Sequence, residues 1–227
     1  MPEQLTFDLP SHAALGLGDF FVSPSNAPAV EAVQGWHDWP LGKLVLCGPT
    51  GSGKTHLAHV WAAMTGARLV AACDLATNDI DALASGYVCL EDVDQIEGQT
   101  AIEEAVFHLH NAVLERGHSL LITARLAPSR WKLVVPDLQS RMQGTALVTL
   151  SAPDDALLSA VLVKLFRDRQ LAVDARLISY LMARMERSFA GAGRLVDALD
   201  KAALAQKRPI TRALAAGVLD KHPESGA

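Results

Sequence analysis

Short apolar runs, each bounded by polar or turn-forming residues, recur along the first two thirds of the chain. Leu44–Cys47, Arg68–Ala72, Tyr87–Leu90, Ser119–Thr123 and Ala146–Leu150 are too short for core helices, and they lack the strict alternation of a half-solvated strand. They predict buried strands of a mostly parallel sheet. Between them the spacing changes to the helical one. Leu57, Val60, Trp61 and Met64 follow it, and so do Ile102, Ala105, Val106, Leu109 and Val113, a stretch closed by Arg116 and Gly117 as last turn and C-cap. Ahead of the first run, Asp19–Val22 leads through Ser23-Pro24-Ser25-Asn26 into Ala29, Val30 and Val33, a loop feeding a helix that reaches Trp36. That helix either folds over a ligand at the following strand or simply packs. Strands alternating with helices give a three-layer α/β domain with its ligand at the C-terminal ends of the strands.

From Ser151 the strand pattern stops. Helical periodicity covers about 154–170, 174–185, 193–207 and 211–219, which predicts a small all-helical second domain. Ser151-Ala152-Pro153 reads as its linker and Asp154 as the first N-cap. The expected organisation is an extended tail over 1–11, an α/β domain over 12–150, a helical domain over 151–222 and a loose end over 223–227. In the tail Leu5, Phe7 and Leu9 alternate, and Pro10 opposes a helix across it. This is either an edge strand on the protein's own sheet or an extended peptide offered to a partner's pocket.

The chemistry concentrates in Gly48-Pro49-Thr50-Gly51-Ser52-Gly53-Lys54-Thr55, followed by His56. It fits the phosphate-loop pattern G-x-x-x-x-G-K-[ST] without a mismatch, between a predicted strand and a predicted helix. The glycines let the backbone wrap a β-phosphate, and Lys54 neutralises charge on the β- and γ-phosphates. The Thr55 hydroxyl holds Mg²⁺, and the free amides of the first helical turn face the anion. Glu91-Asp92 directly follows a buried strand, which fits one carboxylate in the Mg²⁺ shell and the next orienting a water; the plain alternative is an acidic turn. Thr123 ends another strand, where it either faces the γ-phosphate or caps the strand. His108 and His110 are two apart on a predicted helix, on different faces, so they read as solvated or partner-facing rather than as joint metal ligands.

Composition narrows the function classes. The chain has 227 residues, half of them hydrophobic, and a formal net charge of −5, so it can bury a sizeable core but has no broad basic surface for gripping duplex DNA. Cys47, Cys73 and Cys89 fall in or beside predicted strands without C-x-x-C spacing, and they read as small buried hydrophobes in a reducing compartment. No basic leader runs into an apolar core and no eighteen-residue apolar stretch occurs, so a soluble, cytoplasmic protein is expected.

Taken with the phosphate loop and Glu91-Asp92, three further segments carry a resemblance: Phe20-Phe21-Val22-Ser23-Pro24-Ser25-Asn26, Phe107-His108-Leu109-His110-Asn111 and Pro136-Asp137-Leu138-Gln139-Ser140-Arg141. The chain resembles the DnaA-related branch of AAA+ ATPases, and within it the Hda-like regulators of replication initiation. The resemblance implies a P-loop AAA+ core with a helical lid domain, bound ADP or ATP with Mg²⁺, and an arginine finger at Arg141 that reaches the nucleotide of a neighbouring subunit. The alternative for Arg141 is a plain surface arginine. Gln4-Leu5-Thr6-Phe7-Asp8-Leu9 is similar to the peptide by which such proteins dock on the replication sliding clamp. Gln4 would then bond at the pocket rim while Leu5, Phe7 and Leu9 act as apolar anchors.

Two departures stand out. The first Walker B acid of the family is usually Asp, and here it is Glu91, which puts hydrolysis by this chain itself in doubt. The second-sensor arginine falls on Ala190, with Arg187 and Arg194 nearby. A DnaA-type DNA-binding domain would have to follow Leu219, eight residues before the last, so direct sequence-specific DNA binding is not expected. What the resemblance implies is a clamp-docked activator of ATP hydrolysis by DnaA, with a homodimer left open. A helicase-loader-like adaptor is the alternative on the same fold, and a P-loop small-molecule kinase the alternative from another class.

Overall fold

The computed structural model describes residues 21–221, so Gln4, Leu5, Phe7 and Leu9 lie outside the described residues. Five strands, β1 (Lys43–Cys47), β2 (Arg68–Ala71), β3 (Val88–Glu91), β4 (Leu120–Ala124) and β5 (Ala146–Thr149), form one sheet in the order β2-β3-β4-β1-β5. All of its pairings are parallel. Every residue of β1 and β4 is buried, which is why those segments read as unbroken apolar runs, whereas β2 and β5 lie at the edges and are partly exposed.

Side chains alternate across β1, and the two faces gather separate cores. Val45 and Cys47 pack with Leu90, Ile122, Val106, Leu109 and Met142 under α4 (Thr100–Glu115) and α5 (Pro136–Gln143). Leu44 and Leu46 pack with Val30, Val33, Leu57 and Trp61 under α1 (Ala27–Gln34) and α2 (Lys54–Thr65). This is the expected three-layer arrangement. The short helix α3 (Ile80–Leu83) has no counterpart in the sequence reading, since four residues are too few to display a period; Asp79 caps it by accepting from Ala82 N. Gly117, at φ +75°, ends α4, and the His118 N–H returns to the Val113 carbonyl at 3.0 Å.

Beyond β5 only helices follow among the described residues: α6 (Asp155–Asp168), α7 (Ala175–Met182), α8 (Phe189–Gln206) and α9 (Arg212–Lys221). Leu158, Leu162, Phe166, Leu181, Val196 and Leu199 centre a separate core for this helical unit. Asp154 and Asp174 cap α6 and α7 by accepting from Leu157 N at 2.8 Å and Leu177 N at 2.7 Å. Helix α8 begins at Phe189 rather than Gly193, because Ser188 caps it on Gly191 N and the run Ala190–Gly193 has no large side chains to show a helical period.

Three polar features differ from the sequence reading or extend it. His108 is exposed, as expected, but His110 is buried, and its Nε2 lies 3.1 Å from Lys43 Nζ. Cys73 is exposed in the turn after β2, while Cys47 and Cys89 are buried. Glu103 is fully buried and accepts from Gly98 N, Val134 N and Val135 N at 2.7–2.9 Å, which fixes the chain just ahead of α5. Burial, with the Lys43 and Arg141 cations nearby, holds the His110 imidazole down to about 4 despite its bond to Asn111.

The His110 shift gives stability a pH dependence with a definite sign. The folded chain releases this proton more readily than the unfolded chain, whose pKa is the ordinary 6.5. The contribution is therefore complete above pH 6.5 and is lost as pH falls towards 4, by up to about 3 kcal/mol. Urea unfolding of parent and His110→Gln at pH 7 and 4.5 checks this. The difference in stability between them should shrink at the lower pH, because only the parent carries the imidazole.

Candidate nucleotide-binding site

The site starts where β1 ends. Gly48 N donates to Ala124 O of the β4 end at 3.2 Å, and Leu150 N donates to Cys47 O at 2.7 Å, so the loop leaves the sheet between two neighbouring strands. The approach is close: a β-carbon on Gly48 would lie 2.3 Å from the Leu150 carbonyl oxygen, so only glycine fits. The loop then turns through Gly51 and Gly53 with φ of +77° and +100°, and α2 begins at Lys54. Lys54 is buried and donates from Nζ to the carbonyls of Gly48 at 2.8 Å and Pro49 at 3.1 Å. Burial lowers its pKa, opposed by the negative charges of Asp92 and Asp94. Ser52 Oγ is buried with no partner among the described residues.

The acids sit across from this loop. Glu91 closes β3, half-buried, and Asp92 follows in a left-handed conformation at φ 57°, its N–H donating to Thr123 Oγ1 at 3.1 Å. The Thr123 hydroxyl thus orients the Asp92 backbone. Asp92 lines the cavity in front of the phosphate loop; Glu91 is not among the residues that do. Sequence reasoning missed the next acid, Asp94. It is buried, accepts from Arg125 Nε at 3.1 Å through Oδ2, and leaves Oδ1 without a partner among the described residues. The signal was an acid two residues beyond Asp92 and an arginine directly after a buried strand.

The cavity measures about 820 Å³, room for a nucleotide, and opens between the α/β layers and the helical unit. Thr50 to His56 form its floor, Phe21 and Asn26 one wall, and α6 and α8 another through Leu157, Val161, Lys164, Arg167 and Phe189. The segment before α1 therefore does both things the sequence allowed: Ala29, Val30 and Val33 are buried in the core, while Phe21 and Asn26 face the cavity. Asn26 pins this wall by accepting from Ser23 N and donating to Phe21 O. The lid meets the loop directly, with Phe189 N donating to Gly51 O at 3.1 Å. A β-carbon on Gly53 would lie 2.8 Å from the Phe189 ring.

The residues present fit a nucleotide: a main-chain cradle that β-carbons would fill, a buried lysine, and an orphaned buried hydroxyl in the loop. The exposed Thr55 hydroxyl and the Asp92 carboxylate are hard oxygen donors of the kind Mg²⁺ takes beside phosphates. Among the described residues no group of His, Cys, Asp or Glu forms a metal site without such phosphates. Ala190 lines the cavity, whereas Arg187 and Arg194 are paired with Asp155 and Glu186 and do not. Arg141 lies outside the cavity altogether. It is exposed in the last turn of α5, with its guanidinium 5.4 Å from the centre of the Phe107 ring.

No family model matches the chain. Over 226 residues it is 27% identical to the chromosomal replication initiator protein DnaA of Thermomicrobium roseum, an alignment covering 88% of this chain and 48% of that protein. The chain thus spans about half the length of this curated relative. Domain III of the Thermotoga maritima replication initiation protein DnaA superposes with a TM-score of 0.80 at 16% identity, covering 93% of this chain and 98% of that one. AMPPCP-bound DnaA from Aquifex aeolicus superposes with a TM-score of 0.67 at 20% identity, covering 82% of this chain and 65% of that one. None of the described helices is long and apolar enough to cross a membrane. The chain carries the fold of DnaA domain III, and its sequence is similar to that of the replication initiator at 27% identity.

Proposed function

We propose that this chain is an Hda-like regulator of replication initiation. It holds ADP or ATP with Mg²⁺ in the cavity over the phosphate loop, docks on the sliding clamp through Gln4, Leu5, Phe7 and Leu9, and presents Arg141 to ATP held by DnaA. The observation that carries the reading is the position of Arg141. The Arg141 carbonyl bonds Lys43, the first residue of β1, whereas the phosphate loop follows the last, roughly 13 Å further on at about 3.3 Å per residue. An exposed arginine at the far end of the sheet from its own phosphate loop supports a role on a neighbour's nucleotide and not on its own. In that role Lys54, Thr55 and Asp92 hold the chain's own nucleotide, with Glu91 outside the cavity lining, while the main chemistry is done in trans. The DnaA-like fold and the nucleotide analogue in the Aquifex aeolicus relative support the cofactor.

Removing the Lys54 cation should abolish the rise in melting temperature that ADP confers on the parent, since a ligand stabilises only the state that binds it. At a hundredfold excess over its dissociation constant the parent gains about 2.7 kcal/mol. Lys54→Ala stabilised by ADP to the same extent would locate the nucleotide elsewhere.

The tail is tested by pull-down on the sliding clamp. Gln4→Ala with Leu5→Ala should lose clamp binding and keep both its melting temperature and its ADP binding. A double variant that melts much earlier assigns Leu5 to the protein's own sheet instead.

The finger is tested by phosphate release from ATP-loaded DnaA in the presence of clamp on DNA. Arg141→Ala should keep ADP and clamp binding but lose stimulation, where known fingers contribute about 10³ to 10⁵ in rate. Arg141→Lys should also fail, because a point charge on a flexible stem does not reproduce the planar fork. Full stimulation by Arg141→Ala defeats the mechanism, and no stimulation by the parent favours a helicase-loader-like adaptor.

A further inference from the structure

Lys43 is an unusual residue for the interior of a sheet. It opens β1 at 4% exposure, and burial, with Arg141 adding repulsion, lowers its pKa. Among the described residues no carboxylate pairs with it. Its Nζ has two partners instead, His110 Nε2 at 3.1 Å and the Arg141 carbonyl at 3.0 Å. On the other side of the ring His110 Nδ1 lies 3.1 Å from Asn111 Oδ1. With the ring proton on Nδ1 given to that oxygen, Nε2 keeps a lone pair for the ammonium. The Arg141 carbonyl also accepts from Thr145 Oγ1 at 2.8 Å. Phe107, whose ring lies under the Arg141 guanidinium, comes three residues before His110 on α4, on the same face. One face of α4 thus meets both ends of this arginine, the side chain through Phe107 and the backbone through His110 and Lys43.

We propose that Lys43 and His110 are positioning residues for Arg141, a buried strut that fixes the last turn of α5 so that the guanidinium meets a neighbouring nucleotide already aimed. The inference rests on reading Arg141 as a finger. Its physical basis is a conflict between stability and placement. A buried ammonium without a carboxylate is costly, and methionine would fill the same space without a charge to desolvate. The last turn of a helix frays and an arginine side chain has many rotamers, whereas electrostatic catalysis needs donors held to within about 0.5 Å. A strut from the first residue of a fully buried strand to the carbonyl of the finger residue supplies that fixity.

The full-length chain tests this as the parent, Arg141→Ala, Lys43→Met and the double variant Lys43→Met/His110→Phe. The measurements are maximal phosphate release from ATP-loaded DnaA with clamp on DNA at saturating protein, melting temperature, and ADP bound per chain. Lys43→Met and the double variant should melt at or above the parental temperature and bind ADP fully. Their maximal stimulation should fall about tenfold to a hundredfold. A purely structural strut would move stability and stimulation together, and stimulation lost only in proportion to the folded fraction overturns the proposal. Parental stimulation by both Lys43 variants, with none from Arg141→Ala, removes the strut and leaves the finger. Full stimulation by Arg141→Ala removes both. If the Lys43 variants do not fold, His110→Leu decides, since it takes away only the ammonium's second partner: stimulation at the parental rate overturns the strut.

Discussion

The close approach of Gly48 to the Leu150 carbonyl is the contact on which the rest of the site depends. It is possible only without a side chain, and it holds β1 against β5 at the point where the phosphate loop leaves the sheet. With Gly48 N on the β4 end and Cys47 O taken by Leu150 N, the start of the loop is fixed from both sides. A main-chain cradle needs this. Its amides bind an anion through fixed direction and not through charge, so a loop free to relax would turn them inward. Strands buried on both faces, with helices above and below them, provide that frame.

Against this apolar frame a few buried polar groups set the loops. Glu103 gathers one backbone amide ahead of α4 and two ahead of α5, Thr123 holds the Asp92 amide beside the phosphate loop, and Lys43 with His110 reaches the end of α5. Burial of such groups carries a desolvation cost that hydrogen bonds only offset, so they add little net stability compared with hydrocarbon of the same shape. What they add is direction. Each joins a sheet strand or its flanking helix to a segment that would otherwise be held by loosely placed side chains.

Much of the fold was legible because the central strands are buried on both faces and the edge strands are still apolar runs. Five short apolar runs, a phosphate loop between a strand and a helix, and the N-cap at Asp154 each follow from local chemistry, and the structure has them where the residues indicate. The rest depended on distant partners. His110 read as solvated or partner-facing because its spacing from His108 says only that the two face different ways, and its partner Lys43 lies on another element. Asp94 and Arg125 are separated by a whole helix and strand, so nothing local marks them as a pair. The first turn of α8 was lost because Ala190–Gly193 has no large side chains with which to display a helical face, although Ser188 just before it is an ordinary cap.

The small residues of that turn also shape how the lid meets the site. Where a second-sensor arginine would project, α8 turns Ala190 and Gly193 to the cavity, and its nearby arginines are bound to Glu186 and Asp155. Contact between lid and loop passes instead through a neutral main-chain bond from Phe189 N to Gly51 O and through the Phe189 ring on Gly53. Neither contact involves a charged side chain. A closure driven by an arginine on the phosphates would gain or lose several kilocalories with the charge it meets, whereas a neutral hydrogen bond and an aromatic contact do not respond to that charge. These two contacts are therefore indifferent to the charge beneath them, and the lid's cations toward the cavity are Lys164 and Arg167 of α6 instead. In the proposed role such a neutral seat suits a module that keeps its own nucleotide and leaves the chemistry to Arg141 at the opposite end of the sheet.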